Sequence, residues 1–215
     1  MSTDAPEVRK ASPADYPAIA HMLAESFRQG KFIFALGRDL AARRRRLELL
    51  LPYGVICQGQ IYVITVGEAV AATFTIRTAE NTPPAEAFQR ARQALQRGDG
   101  WLRAWWATRV LRLLSGPRLG PQDAYLDNLV TAQAWQRQGI VSRSAGFFYQ
   151  ECLTLGKSWL WADIMSNNRR VIGLFQKEGW EVVGRNYWLA PITWPLFGTP
   201  GILRIRKTLY PPPDR

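Results

Sequence analysis

The sequence predicts an α/β (α+β) fold with a mixed sheet, and three observations support this class. Runs of β-branched and aromatic residues alternate with segments of helical periodicity, as expected for a sheet flanked by helices. The chain has 215 residues, 47% of them hydrophobic, which is enough to bury the core of an ordinary domain. No apolar stretch reaches the roughly 18 residues of a membrane-spanning helix. No repeat or linker divides the chain, so we expect one domain over residues 1–215.

Helix-start and turn residues define the elements of the first third of the chain. Residues 12–15, with Pro13 in the first turn, are typical of a helix start. Gly67 and Glu68 lie at the turn of a hairpin predicted over 60–77, because β-branched and aromatic residues flank them. The other predicted elements are a strand over 7–12, a helix carrying Ile19, Met22, Leu23 and Phe27, and a helix over 38–51 that ends before Pro52.

A helical insertion rich in tryptophan and arginine is predicted at about 83–120. The helical composition of 85–115 is interrupted at Gly98 and Gly100. One broad face of its second half carries Trp101, Leu102, Trp105, Trp106, Val110 and Leu113, punctuated by Arg103, Arg109 and Arg112. We favour packing of these tryptophans into the core. A lid over an apolar substrate and an interfacial membrane helix are the alternatives.

Strands and helices alternate regularly after the turn at 115–123. Asn168 and Gly179 are typical of the start and the end of one helix, since they suit the capping positions. The remaining predicted elements are a strand over 124–131, a helix from near Gly139 to near Gly156, a strand over 158–165, and two strands within 180–209 joined by a long Pro/Gly-rich connection.

The charge of the chain is strongly basic. Lys and Arg number 28 against 17 Asp and Glu, a net charge of +11, and Arg43, Arg44, Arg45 and Arg46 form an unbroken run. Contact with nucleic acid or an anionic membrane is one interpretation. No aromatic-interleaved nucleic-acid motif is present, so we favour a solvated helix face for this run.

Cysteine and histidine content limits the chemistry that we expect. Cys57 and Cys152 each lie in an apolar segment, which predicts buried free thiols in a reducing cytosol. His21 is the one histidine and no Cys/His cluster occurs, so we expect no metal site. The N-terminal segment contains acidic residues and lacks the apolar core of a secretory signal, and we expect a cytoplasmic protein.

A glycine at the predicted mouth of a helix indicates an anion site. Gln136, Arg137 and Gln138 precede Gly139, and an apolar-periodic run follows it. The first turn of a helix has N–H groups without an intrahelical partner and carries partial positive charge. Because Gly139 has no side chain, an anion can approach these donors closely, with Arg137 and Arg143 adding charge. Taken alone, the pattern also suits an ordinary strand-to-helix turn.

Two motifs at a defined spacing favour the anion site over an ordinary strand-to-helix turn. The first covers 136–141 and reads QRQGIV, and the second covers 168–180 and reads NRRVIGLFQKEGW. Together they resemble the GNAT superfamily of N-acetyltransferases, whose motifs are Gln/Arg-x-x-Gly-x-Gly/Ala and an Asn-led helix that ends in Leu-Tyr/Phe followed by Gly-Phe. The resemblance covers about residues 124–188. It departs at Val141, where the family has a small residue, and at Phe175, where many members have a tyrosine.

The resemblance implies a mostly antiparallel sheet of about seven strands, flanked by helices, whose central parallel strands splay apart to admit acetyl-CoA. Strands 124–131 and 158–165 would be the splayed pair. Backbone groups of the first would pair with the pantetheine arm, and amides before and within the following helix would hold the pyrophosphate. The implied cofactor-binding residues are Leu129, Val130, Thr131, Gln136, Arg137, Gln138, Gly139, Ile140, Val141, Ser142, Asn168 and Phe175.

The implied chemistry is direct attack of a neutral amine on the thioester, for which a general base is useful. Asp163 is the first candidate, since the segment resembles the branch that acetylates protein N-terminal alanines and carries an acidic residue there. Asp127 is the second. Phe175 cannot donate a proton, so Tyr187 is the candidate general acid. The alternatives are ion pairs with arginine for the two carboxylates and ordinary strand packing for Tyr187.

These features favour an N-acetyltransferase that acts on a primary amine of a small molecule or of a peptide or protein N-terminus. The alternatives are a CoA-binding regulatory module with little turnover and a basic adaptor for nucleic acid or membrane. The aromatic content of the acceptor regions (28–52, 83–120 and 190–200) indicates an apolar or aromatic amine, or a peptide end. Homodimers are frequent in proteins of this resemblance.

Overall fold

A seven-stranded sheet organises the computed structural model, which describes residues 5–26, 33–113, 116–186 and 201–210. The strands are β1 (Glu7–Lys10), β2 (Gln60–Val66), β3 (Ala69–Thr78), β4 (Asp123–Thr131), β5 (Trp159–Met165), β6 (Glu181–Asn186) and β7 (Ile202–Thr208). The α-helices are α1 (Tyr16–Ser26), α2 (Ile33–Leu36), α3 (Leu40–Leu50), α4 (Ala85–Asp99), α5 (Trp101–Leu113), α6 (Ile140–Thr154) and α7 (Arg169–Lys177). Phe27, Tyr187 and the connection 187–200 lie outside the described residues.

The sheet has the order β1-β2-β3-β4-β5-β7-β6, and one pair of neighbours, β4 and β5, is parallel. All other neighbours are antiparallel. The parallel pair is joined only from Asp123–Tyr125 to Trp159–Trp161, after which the two strands separate. The predicted mixed sheet of about seven strands, with a splayed parallel pair at its centre, is therefore confirmed.

Helices cover both faces of the sheet because the strands alternate their buried side chains. On β2, Ile61 and Val63 pack against the core formed with α1 to α5, whereas Tyr62 and Ile64 face the core formed with α6. Phe148 of α6 belongs to this second core. Ile140 and Ala145 belong to it as well, so the N-terminal half of α6 packs on the sheet and its first residue borders the cavity between β4 and β5.

The predicted interruption of the tryptophan-rich segment is correct at Gly100 and wrong at Gly98. Helix α4 runs through Gly98, because a glycine with helical backbone angles costs only about 1 kcal/mol relative to alanine. Gly100 has φ +81°, in the region that favours glycine, and it separates α4 from α5.

The predicted burial of the α5 tryptophans is also wrong. Trp101, Trp105 and Trp106 are 61%, 37% and 51% exposed. The buried face of α5 instead carries small residues and Leu111, including Ala104 and Ala107, through which α5 packs on α2 and α4. The spacing of the tryptophans correctly indicates an apolar face of α5. The face that packs on the neighbouring helices is a different one, because its small side chains allow the helices to approach closely.

The run of four arginines is not a solvated face, since two of its members are buried. Arg43 donates to the backbone carbonyls of Ala24, Gly37 and Arg38, at 2.7, 3.0 and 2.7 Å. Arg46 donates from two nitrogens to the Asp99 carboxylate, each at 2.7 Å. These two arginines join α3 to α1, to the residues after α2 and to the end of α4, whereas Arg44 and Arg45 are exposed.

The two cysteines are free and buried, as predicted. Burial is the main cause that raises the pKa of each thiol to about 12. In the part of the chain that the structure describes, no helix is long and apolar enough to cross a bilayer.

The Arg46–Asp99 pair generates a stability prediction. Replacing Asp99 by Asn leaves the nearly buried Arg46 guanidinium without its counter-charge, so we expect Asp99→Asn to lower the free energy of unfolding by about 3 kcal/mol in chemical denaturation. The matched control is Glu48→Gln, which removes an exposed i,i+4 partner of Arg44 and should cost about 0.5 kcal/mol or less.

The same pair gives a pH dependence with a defined sign. Arg46 holds the pKa of Asp99 below its ordinary value in the folded protein. This stabilisation is therefore complete above the unfolded pKa of Asp, about 3.9, and is lost as the pH falls through the folded pKa. The difference in stability between the wild type and Asp99→Asn should shrink in acid, and a difference that is constant down to pH 2 would contradict the assignment.

Candidate functional site

A cavity of about 1050 Å³ opens where β4 and β5 separate, and the mouths of α6 and α7 border it. Eleven of the twelve cofactor-binding residues predicted from the sequence line it: Leu129, Val130, Thr131, Gln136, Arg137, Gly139, Ile140, Val141, Ser142, Asn168 and Phe175. Gln138 does not line the cavity, because its side chain turns back and donates to the carbonyl of Ala134 at 2.8 Å.

The wall of the cavity along β4 is a strand edge without a strand partner. Pairing with β5 ends at Tyr125, so the backbone groups beyond it on that side face the cavity. A bulge distorts the same strand, since Asn128 and Leu129 together stand opposite Phe74 of β3, and Asn128 has φ +51°. A free edge of this kind binds an extended chain of amides as an added strand would.

The mouth of α6 presents backbone N–H groups to the same cavity. Gly139 is the N-cap residue, with φ +71°, and no described side chain caps the helix there. Arg137 also has positive φ, +65°, so the chain curls around its own amides before the helix begins. A side chain added at Gly139 would meet open space within 4 Å, which means that the approach to these amides is unobstructed.

Positive side chains line the same cavity. Arg137 is one of them, and Arg169, Arg170 and Lys177 of α7 are others. These α7 residues were not among the predicted cofactor-binding residues, although Arg169 and Arg170 directly follow Asn168 in the second motif. The combination of unpaired amides and fixed cations is the arrangement that binds phosphate groups.

The two motif residues of α7 have defined positions in the cavity wall. The Asn168 side chain caps α7 by accepting from the N–H of Val171 at 3.3 Å, so its amide group retains donors for a ligand. Phe175 packs edge-to-face on Trp180, with 4.9 Å between the ring centroids.

Asp163, the first candidate base, lines the cavity but is held in a two-point ion pair. Its oxygens accept from Nε and Nη2 of Arg204 on β7, at 2.9 and 3.0 Å. Burial is the main cause that raises the pKa of the nearby Tyr125 hydroxyl, and the charges of Asp163 and Asp127 add to it. Because each oxygen is already held by the Arg204 guanidinium, the carboxylate is poorly placed to take a proton from an amine.

Asp127, the second candidate base, has no such ion pair. It lines the cavity on β4, and its Oδ1 accepts from the N–H of Asn128 at 2.9 Å. Among the described residues it has no ion-pair partner within 4 Å. Tyr187, the candidate acid, lies outside the described residues.

Charged residues form a row across this face of the sheet, which the sequence could not reveal. Strand register places Arg77, Tyr125, Asp127, Asp163 and Arg204 on one face of β3, β4, β5 and β7. Arg77 is buried, with its guanidinium 4.9 Å from the Tyr125 ring centroid. Burial lowers its pKa and the Asp127 charge opposes that effect, so the row is electrostatically coupled.

Comparison with known proteins identifies this architecture. No protein-family model matches the chain, and no curated protein sequence matches it. A solved acetyltransferase structure is 17% identical with a TM-score of 0.66, over 95% of this chain and 100% of that one. A Salmonella typhimurium protein described as an acetyltransferase, solved with its cofactor acetyl-CoA, is 16% identical with a TM-score of 0.57, over 98% and 99%.

The ribosomal-protein-alanine N-acetyltransferase of Brucella melitensis is 17% identical with a TM-score of 0.56, over 94% of this chain and 99% of that one. At such identities the comparisons establish the fold. The chain has the fold of these acetyltransferases, which is the GNAT fold that the two sequence motifs predict.

Adding a negative charge at the mouth of α6 tests whether this mouth binds the coenzyme. Gly139→Glu adds a carboxylate beside the amides and strains a backbone with positive φ, so we expect the thermal stabilisation by acetyl-CoA to be lost. In the wild type this stabilisation should reach about 2.7 kcal/mol, or several degrees in melting temperature, at about a hundredfold excess over Kd.

The matched control is Gly146→Glu, which adds the same charge to an exposed, open position two turns further along α6. It should keep the full shift. A full shift in Gly139→Glu, measured from its own ligand-free melting temperature, would show that coenzyme binding does not use this mouth.

Proposed function

We propose that the protein is an acetyl-CoA-dependent N-acetyltransferase that acetylates a primary amine. The observation that carries the proposal is one cavity in which a free strand edge and the amide-rich mouth of α6 lie together. A coenzyme thioester has both complementary parts, an amide-containing arm and a diphosphate. The acetyl-CoA complex of a structural neighbour with the same fold supports this assignment.

Each part of the coenzyme has candidate partners in the cavity. The amides from Arg137 to Ser142 would receive the diphosphate, with Arg169 and Arg170 adding positive charge. The edge of β4 at Leu129–Thr131 would pair with the amide arm. Asn168 would donate to the arm from the side-chain amide that caps α7.

The proposed reaction is direct acyl transfer. Acetyl-CoA is the substrate that supplies the acetyl thioester. The amine nitrogen forms a bond to the acetyl carbon, the carbon–sulfur bond breaks, and the sulfur leaves as thiolate. The N–H groups at the β4 bulge, near Leu129 and Val130, would stabilise the oxyanion of the tetrahedral intermediate.

Asp127 is our proposed base, in preference to Asp163. Its carboxylate lines the cavity beside the bulge and lacks the two-point arginine pair that engages Asp163. It would accept the proton that the amine loses on attack. Asp163 would instead hold Arg204 and Tyr125 in position on the face of the sheet that carries the row of charged residues.

Phe175 favours one alternative function, a CoA-binding module with little turnover. A phenyl ring lines the cavity where many members of the superfamily have a tyrosine that protonates the departing thiolate. The two functions differ in a single readout, thiol release. In the transferase that we propose, the thiolate takes its proton from water or from another group.

The experiment is a thiol-release assay with acetyl-CoA and a panel of amines. The panel includes aromatic amines and peptides with N-terminal alanine, the residue named for the Brucella neighbour. Background from the protein should be small, because burial raises the pKa of Cys57 and Cys152 to about 12. Amine-dependent release supports the transferase. Coenzyme-induced thermal stabilisation without release for any amine supports the binding module.

Two carboxamide variants separate the candidate bases. Asp127→Asn should lower kcat about 100-fold, the ordinary contribution of a general base, while coenzyme-induced stabilisation is retained. Asp163→Asn should lower the melting temperature, because it leaves Arg204 without its partner, and should reduce kcat less than about tenfold. The reverse order of the two kcat effects would transfer the role of base to Asp163.

A further inference from the structure

Four of the nine exposed large hydrophobic side chains among the described residues lie together on one face of α5. Trp101, Leu102, Trp105 and Trp106 are all among the exposed large hydrophobic residues, with Leu102 at 67%. They occupy consecutive turns at the start of the helix. Contiguous exposed aromatic surface of this kind is uncommon on soluble proteins and marks a site of interaction.

Arginines extend the same face towards the end of the helix. At 100° per residue, Arg109 and Arg112 lie within the arc that the tryptophans span, and Arg103 lies at its edge. All three are exposed, and the Arg109 guanidinium lies 5.5 Å from the Trp105 ring centroid. The face therefore has an aromatic half and a basic half.

The surroundings of this face are also basic. Across α4 and α5 there are six arginines against two acidic residues, Glu86 and Asp99. Asp99 is neutralised by Arg46 and lies near Arg45. A partner that covers the face must therefore carry negative charge as well as apolar surface.

We propose that the face of α5 formed by Trp101, Leu102, Trp105, Trp106, Arg109 and Arg112 is a docking surface for an anionic lipid bilayer. The helix would lie in the plane of the interface, with tryptophan rings at the level of the headgroups and acyl chains. The arginines would contact anionic headgroups. The proposal is independent of the acetyltransferase activity, because none of these residues lines the cavity.

Charge and shape favour this partner over two others. A second copy of this face would offer no acidic side chain to pair with Arg109 and Arg112, and both copies would carry a net charge of +11. Single-stranded nucleic acid binds in grooves where stacking aromatics alternate with cations along a path. Here the aromatic and basic side chains lie on the surface of a single convex helix, and a bilayer surface supplies apolar and anionic groups over an extended area.

The test is co-sedimentation of the full chain with vesicles at low salt. We expect binding to phosphatidylcholine vesicles that contain about one third phosphatidylglycerol, weak binding to pure phosphatidylcholine, and weaker binding as salt screens the arginines. Tryptophan emission should shift to shorter wavelength on binding. Failure to bind the anionic vesicles at low salt would overturn the proposal.

Matched variants assign the binding to α5. Trp101→Ser with Leu102→Ser should weaken vesicle binding about tenfold, because both residues contribute apolar area to the interface. Leu155→Ser with Tyr210→Ser removes exposed apolar side chains elsewhere and should change binding less than about twofold. Equal effects of the two pairs would contradict the proposal.

A charge-matched comparison tests the basic half. Arg109→Gln with Arg112→Gln should weaken binding to anionic vesicles about tenfold or more. Arg44→Gln with Arg185→Gln, which removes the same charge from other exposed sites, should have a small effect.

If an oligonucleotide binds more tightly than vesicles and the α5 variants abolish that binding, the surface recognises nucleic acid and the proposal is wrong. Concentration-dependent dimerisation that is lost in the α5 variants would overturn it in favour of a second copy.

Discussion

The early end of hydrogen bonding between β4 and β5 is the constraint on which the site depends. Two parallel strands at the centre of a sheet would ordinarily pair along their whole length, because buried backbone groups need partners. Here they pair from Asp123 to Tyr125 only, and the β4 bulge at Asn128 turns the strand further. The resulting opening places unpaired amides beside α6. Cavity, strand edge and helix mouth are thus consequences of one divergence, held open by cores on both faces of the sheet.

Much of this arrangement could be predicted from the sequence, because its signals are local. The amides at the mouth of α6 follow from Gly139 and its neighbours, and Asn168 and Gly179 bound α7 through capping. Strand and helix periodicity recovered the seven strands and the hairpin turn at Gly67. Eleven of the twelve predicted cofactor-binding positions line the cavity, seven of them within the two short motifs and four on the strand and helix next to the first motif.

The features that the sequence did not determine depend on tertiary structure. The ion pair of Asp163 depends on Arg204, 41 residues away, which β7 brings opposite it. The apolar residues of α5 have the spacing of a core face, but spacing cannot tell which face neighbouring helices cover. Alanines at Ala104 and Ala107 form the tighter contact, so the tryptophans remain outside. The local sequence thus predicted where backbone amides are exposed to a ligand. Which charges pair, and which face of α5 is buried, could be seen only in the folded protein.

Among the described residues, three groups of arginines lie in different environments, and this difference explains why composition alone was ambiguous. Arg43 and Arg46 enter the core, where carbonyls and Asp99 satisfy them, so the most basic run in the sequence is largely structural. A second group lines the cavity that the mouth of α6 borders, where cations and amides suit a compact polyanion. A third lies on the convex face of α5 among exposed tryptophans, where a small anion would leave the apolar surface in water. Only an extended partner with both charged and apolar layers would satisfy that face, and for this reason the two exposed groups of arginine call for different ligands.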